Sequence, residues 1–202
     1  IVFFIGILLS VATLEHTHWH WVQSALVLVL LWTGWVIHGA WGGVGFSKAV
    51  ALHEAVGVGL LVLSAFTMFW HITTGEGKQF IPRRRGLADM IRFYTGGIFR
   101  DAPHPESPSP EAKFNPLQRF AYFGLLVFIF PVQMATGFLL WGLPRFDAFA
   151  GLRPHLGSMA LIHTAGAYGM MIFILVHLYM ITTGRTLGAN VKAMWTGWSD
   201  ES

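Results

Sequence analysis

The chain has 202 residues, of which 54% are hydrophobic, 15% aromatic and 11% charged, against about 25% charged in soluble domains. That is the composition of a membrane protein, and the length is that of one domain. It contains no cysteine, which excludes a disulfide framework, an iron–sulfur cluster held by this chain and a covalently attached c-type haem, which needs C-x-x-C-H. The net charge of +3 is small, and nothing in it suggests a nucleic-acid partner.

The sequence opens on Ile1, not Met, with an apolar run over 1–14. This is shorter than the ~20 residues a spanning helix needs. It reads as the end of a helix that begins upstream, with a signal-peptide remnant or an interfacial segment as alternatives. Four longer apolar stretches predict spans over about 19–40, 50–74, 116–141 and 158–183. The expected fold class is therefore all-α: a transmembrane four-helix bundle with an additional partial N-terminal helix. Pro131 falls inside the third span and predicts a kink, which neighbouring helices tolerate in a membrane. Gly184 is a C-cap for the fourth. The connections over 42–49 and 142–157 are short and weakly charged; the one over 76–115 is long and polar, and a tail follows over 185–202. In the long loop, apolar residues at 87, 90, 91, 94 and 98 lie beside Arg83, Arg84, Arg85 and Arg92. That spacing predicts a short helix on the membrane surface. Residues 103–110 read as an extended linker.

Ten of the thirteen Lys and Arg residues fall on the side that holds the 76–115 loop and the C-terminus, called n here. Only Lys48, Arg145 and Arg153 fall on the opposite side, p. The positive-inside rule makes n cytoplasmic in a multi-pass protein of a bacterial inner membrane. Trp19, Trp21, Trp70, Trp195 and Trp198 near n, and Trp35, Trp41 and Trp141 near p, fit aromatic belts at the two interfaces.

Ten histidines are many for so apolar a chain. His163 and His177 share the last span, fourteen residues apart. This separates them by ~21 Å along a helix axis and brings both to one face. A weak repeat relates the second and fourth spans: LHEAVG at 52–57 answers IHTAG at 162–166, and ITTG closes both, at 72–75 and 181–184. His53 and His163 thus sit at nearly the same depth, toward p. His20 opens the first span on side n, at the level of His177. Polar side chains inside a span are functional candidates, and two facing pairs at two levels are what two haems with two axial imidazoles each require. His71 competes with His20 for the n-side position. It lies eighteen residues from His53, on the same face, but ~6 Å further toward n than the spacing of His163 and His177. His38 bears the same relation to His20. His16, His18, His104 and His155 read as interfacial or surface residues. A di-metal centre would need inward carboxylates, and Glu54 is the only acid in a predicted span. Thr33-Gly34 and Thr136-Gly137 recur in the first and third spans, and Gly57, Gly59, Gly166 and Gly169 flank the p-side histidines. Such small residues allow close packing of backbones or of a flat macrocycle. Arg119 and Arg185 near n, and Arg145 and Arg153 near p, could pair with haem propionates.

WHW at 19–21, LHEAVG at 52–57, FNPLQRFAYFGLL at 114–126, LIHTAG at 161–166 and VHLYM at 176–180 resemble the membrane cytochrome b subunits of formate dehydrogenase, [NiFe]-hydrogenase and thiosulfate reductase. The thiosulfate reductase branch is the most similar, through the segment running from YTGGIFR to the third span and through VKAMWTGW near the C-terminus. The resemblance covers about 19–198. It implies two haem b groups, with His20 and His177 on the n-side iron and His53 and His163 on the p-side iron. It also implies a quinone, menaquinone or ubiquinone, near the n-side haem at the turn opening the third span, where Asn115 and Gln118 would hydrogen-bond a quinone carbonyl. Residues 1–14 depart from the pattern, since that family commonly begins just before WHW.

The resulting expectation is a dihaem quinone-linked cytochrome, one subunit of a larger oxidoreductase. Its periplasmic partner would be an iron–sulfur protein or a multihaem c-type cytochrome, joined to a catalytic subunit. The chain carries no residues for substrate chemistry of its own. A haem-free transporter or proton channel bearing histidines is the alternative from another class, and it would call for more ionisable residues along the spans.

Overall fold

The computed structural model describes residues 16–100, 102–106, 114–183, 186 and 188–196. The N-terminal run 1–14, Gly184 and Arg185 lie outside the described residues. All the regular structure among the described residues is helical. Four stretches are long and apolar enough to cross a membrane, Trp19–Ile37, Phe46–Thr74, Pro116–Gly142 and Asp147–Ile181, so the chain is an all-α multi-pass membrane protein.

The first span lies in α1 (His16–Ile37). It begins ahead of the predicted position 19 because nothing in His16-Thr17-His18 breaks a helix, so His16 and His18 are helical. It stops before Gly39, whose φ of +88° belongs to the left-handed region that glycine enters at little cost. His38 is left exposed in the turn beyond. Helix α2 (Phe46–Thr74) starts four residues before the predicted position 50. Its first turn accommodates Lys48, whose ammonium can reach the interface.

The polar loop is largely ordered by helical turns. A 3-10 turn over Glu76–Phe80 precedes α3 (Leu87–Arg92), which continues through a π turn over Phe93–Gly97 and a 3-10 turn over Ile98–Arg100. The helical spacing read over 87–98 is therefore present, and it is anchored by Met90, which is fully buried. Glu106 reaches back to Arg83 at 2.8 Å.

The third span is two α segments, α4 (Pro116–Gly124) and α5 (Phe130–Gly142), joined by a π turn over Leu125–Ile129. The π turn falls directly before Pro131. Proline has no N–H for the i→i−4 ladder, and a local wider turn is a common response to such a break. The fourth span is α6 (Leu156–Ile181). Where the sequence suggested a loop over 142–157, a 3-10 helix over Asp147–His155 leads directly into it. A short α7 (Ala189–Thr196) follows, and the Asn190 side-chain amide donates to the Ile181 carbonyl at 3.0 Å, which satisfies an end group of α6.

The chain divides into two compact units, Ile1–Ser64 with Leu175–Ser202, and Ala65–Ile174. In the first, Thr33, Val36, Ala49, Leu60 and Leu63 are buried. In the second, buried Arg119 fastens the loop to α4: its Nε donates to the Phe114 carbonyl at 3.0 Å, and its terminal nitrogens to the Ile81 carbonyl at 3.4 Å and Gln79 Oε1 at 3.3 Å. A chain of ring contacts runs beside it through His71, Phe80, Phe114, Tyr122 and Phe173, with centroids 5.0–6.3 Å apart. Large apolar side chains remain exposed along the spans, among them Phe69, Ile172 and Leu175. Lipid, not water, is the medium in which such a surface is stable.

Candidate functional site

In the first unit, α1 and α2 meet at a threonine and a histidine. Thr33 Oγ1 lies 2.8 Å from His53 Nδ1. The same hydroxyl is 2.7 Å from the Val29 carbonyl, one turn back on its own helix. A hydroxyl has one hydrogen, and the carbonyl can only accept. The hydrogen therefore goes to Val29, Thr33 Oγ1 accepts, and His53 Nδ1 carries the proton. This tautomer puts the ring's lone pair on Nε2, the form a metal-ligating histidine takes. Gly34 follows, and a Cβ there would stand in ordinary contact with the ring, 3.6 Å from His53 Cε1.

In the second unit, α5 and α6 repeat the arrangement. Thr136 Oγ1 lies 2.9 Å from His163 Nδ1 and 2.6 Å from the Val132 carbonyl. The donor assignment is the same, and Nε2 again holds the lone pair. A Cβ on Gly137 would stand 3.2 Å from His163 Cε1. Both threonines are buried. The likeness extends along the helices: residues 51–60 and 161–170 show the same order of exposed, half-buried and buried positions. The weak sequence repeat is thus a repeat of local structure. The threonine of each T-G pair contacts an imidazole and is more than a packing spacer.

At the other end of α6, His177 faces His20 of α1 within the first unit. Their ring centroids are 6.2 Å apart and their planes make 53°. Two metal–nitrogen bonds of ~2 Å, plus the ~1 Å from each nitrogen to its ring centre, put the centroids of two imidazoles on opposite sides of one ion ~6 Å apart. Nδ1 of His20 is buried, and this ring has donor or acceptor capacity that the described residues do not meet. Trp21 meets the His20 ring edge-on at 5.6 Å and also contacts Trp195 of α7 at 5.9 Å.

The other sequence candidates have definite places. His71 Nδ1 donates to the Thr67 carbonyl at 2.7 Å, and its ring packs on Phe80 at 5.3 Å, in the aromatic chain of the second unit. Asn115 and Gln118 form a capping box at the start of α4: Asn115 Oδ1 accepts from the Gln118 backbone N–H at 2.9 Å, and Gln118 Oε1 accepts from the Asn115 backbone N–H at 3.0 Å. Both side-chain oxygens are thereby used in the cap. Among the arginines considered for propionates, Arg119 fastens the loop as above. Arg145 donates to the Trp141 carbonyl at 2.6 Å and lies over its ring at 5.0 Å. Arg153 lies 4.0 Å from Asp147. The residues that sequence reasoning undervalued are Thr33 and Thr136. Their recurrence before glycine, each in the span preceding a histidine-bearing one, was the available signal.

The family of prokaryotic cytochromes b561 matches residues 13–197. This chain belongs to that family. It is a membrane b-type cytochrome of electron transfer, and the family implies haem b. A b561 cytochrome holds haem without the cysteines that a c-type attachment requires, and this chain has none. The residues present fit such a group. They are imidazoles set in spans, two in the tautomer that exposes Nε2 and two with ring centroids 6.2 Å apart, with one buried nitrogen unmet among the described residues. Among relatives, the provisionally named cytochrome YdhU of Escherichia coli (strain K12) is 34% identical over 186 residues, 89% of this chain and 70% of that protein. YedZ1 of Azospira oryzae (strain ATCC BAA-33 / DSM 13638 / PS), provisionally named a protein-methionine-sulfoxide reductase subunit, is 25% identical over 199 residues, 89% of this chain and 93% of that protein. No solved structure matches the chain.

Proposed function

We propose that this cytochrome holds two haem b groups and carries electrons between a membrane quinone, menaquinone or ubiquinone, and a periplasmic redox partner. It does so as one subunit of a larger oxidoreductase, of the kind to which thiosulfate reductase belongs. The observation that carries this reading is the separation of the His20 and His177 rings, 6.2 Å. On it His20 is preferred to His71 as the n-side ligand, opposite His177. For the p-side haem, His53 and His163 are the ligands, on the strength of their matched depth in the sequence repeat and their identical threonine anchors.

Haem b, held by these histidines, would supply one-electron exchange. The rest is the work of this chain. The spans keep water from the ligands, and α6 carries one ligand for each level. With their oxygens committed to the cap, Asn115 and Gln118 offer their NH2 groups as donors to a quinone carbonyl on side n. The long loop and the C-terminus are cytoplasmic, in the inner membrane, by the distribution of Lys and Arg. With no cysteine of its own, the chain exchanges electrons at side p with a separate iron–sulfur protein or multihaem c-type cytochrome joined to a catalytic subunit. That one relative carries the name of a reductase subunit agrees with this role.

The test is to add a short-chain quinol to the oxidised, purified complex and follow the b-type absorption. Reduction of the cytochrome on mixing is expected. A cytochrome that dithionite reduces but no quinol does contradicts the quinone link.

A further inference from the structure

We infer that Thr33 and Thr136 are positioning residues that hold the p-side haem at a lower potential than its two imidazoles alone would give it. This rests on the assignment of His53 and His163 proposed above. In both units the threonine hydroxyl spends its hydrogen on the carbonyl one turn back, at 2.7 Å for Thr33 and 2.6 Å for Thr136. Its oxygen is then an obligatory acceptor for the histidine Nδ1–H, at 2.8 and 2.9 Å. An acceptor on Nδ1–H draws the proton outward and gives the ring imidazolate character. Nε2 becomes a stronger electron donor, and a stronger donor favours ferric over ferrous iron.

The site is built for this purpose on both ligands. Each threonine is buried, at 0% and 8% exposure, so water does not compete for Nδ1. Each is followed by a glycine beside the same ring, and at Gly137 a Cβ would stand 3.2 Å from His163 Cε1, a tight approach. The threonine thus fixes the tautomer of the imidazole through Nδ1. His20 differs, since its buried Nδ1 has no hydrogen-bond partner among the described residues. Through these acceptors Thr33 and Thr136 push electron density toward the p-side iron.

The experiment is a potentiometric titration of the purified full-length chain and of T33V, T136V, T33S and T136S. Valine keeps the shape of threonine and removes the acceptor, whereas serine keeps the hydroxyl and loses the methyl. Each valine variant is expected to raise the potential of one haem, the one lost in His163→Ala. The shift should be on the order of tenfold in the ferric-to-ferrous ratio at fixed potential, or about 59 mV for one electron. The serine variants should stay near the unmodified value. If a valine variant sheds its haem while the serine variant keeps it at the unmodified potential, the hydroxyl is again the cause. Loss of haem in both valine and serine variants assigns the threonines to packing and overturns the inference. So does an unchanged potential in the valine variants, or a shift confined to the haem lost in His177→Ala. A full-length chain with no haem at all overturns the ligand assignment instead, so the two failures are distinguishable.

Discussion

The rings of His20 and His177 stand 6.2 Å apart, although one residue opens the first span and the other lies near the end of the last. Only the return of α6 to side n brings them together. His20→Ala should therefore remove one redox-active haem, while His71→Ala, whose ring is packed on Phe80, should leave both. The check is the number of low-spin ferric signals in electron paramagnetic resonance of the purified variants. Two signals in His20→Ala and one in His71→Ala would reverse the assignment.

His53 and His163 act as a unit if they share an iron. Losing either axial ligand removes or exposes the same haem, so His53→Ala, His163→Ala and the double variant should show the same loss. Strong non-additivity of this kind marks residues on one site. The readout is the amplitude of the oxidation–reduction waves. A double variant that loses both waves, when each single variant loses one, places the two histidines on different haems.

Gly34 and Gly137 look equivalent in sequence and are not equivalent in space. A Cβ on Gly34 would meet His53 Cε1 at 3.6 Å, an ordinary contact, whereas one on Gly137 would meet His163 Cε1 at 3.2 Å. Gly34→Ala should leave the p-side haem spectrum unchanged, and helix propensity adds up to ~1 kcal/mol of stability. Gly137→Ala should tilt the His163 ring and shift the p-side signal in electron paramagnetic resonance. Equal spectra for the two variants contradict this close approach.

Asn115 has two roles that chemistry can separate. Asn115→Ala removes the N-cap and should cost about 1 kcal/mol, whereas Asn115→Asp caps as well as asparagine does but has no NH2 to donate. Thermal unfolding in detergent should thus report Asn115→Asp as near the unmodified protein, while its rate of reduction by quinol falls. An unchanged quinol rate in Asn115→Asp would leave the residue as a cap alone.

Much of this was legible in the sequence, for particular reasons. Lipid demands long uninterrupted apolar runs, so the four spans could be read directly, and Pro131 announced the irregularity that the π turn over Leu125–Ile129 now carries. The repeat around His53 and His163 was readable because both helices run the same way through the same medium. Three features were less so. The structured entry to α6 over Asp147–His155 is weakly charged and short, and resembles a loop. The capping box at Asn115 and Gln118 satisfies the pattern of a turn and of a ligand site equally. The partnership of Thr33 and Thr136 with histidines depends on which faces of neighbouring helices meet, which single-helix periodicity does not specify.

The most direct measurement of the central claim is the ratio of non-covalent haem b to polypeptide in the purified full-length chain, by the alkaline pyridine difference spectrum against quantitative amino-acid analysis. Two haems per chain are predicted, falling to one when either His163 or His177 is replaced by alanine. A ratio of one in the unmodified protein, or a preparation without haem, contradicts the account.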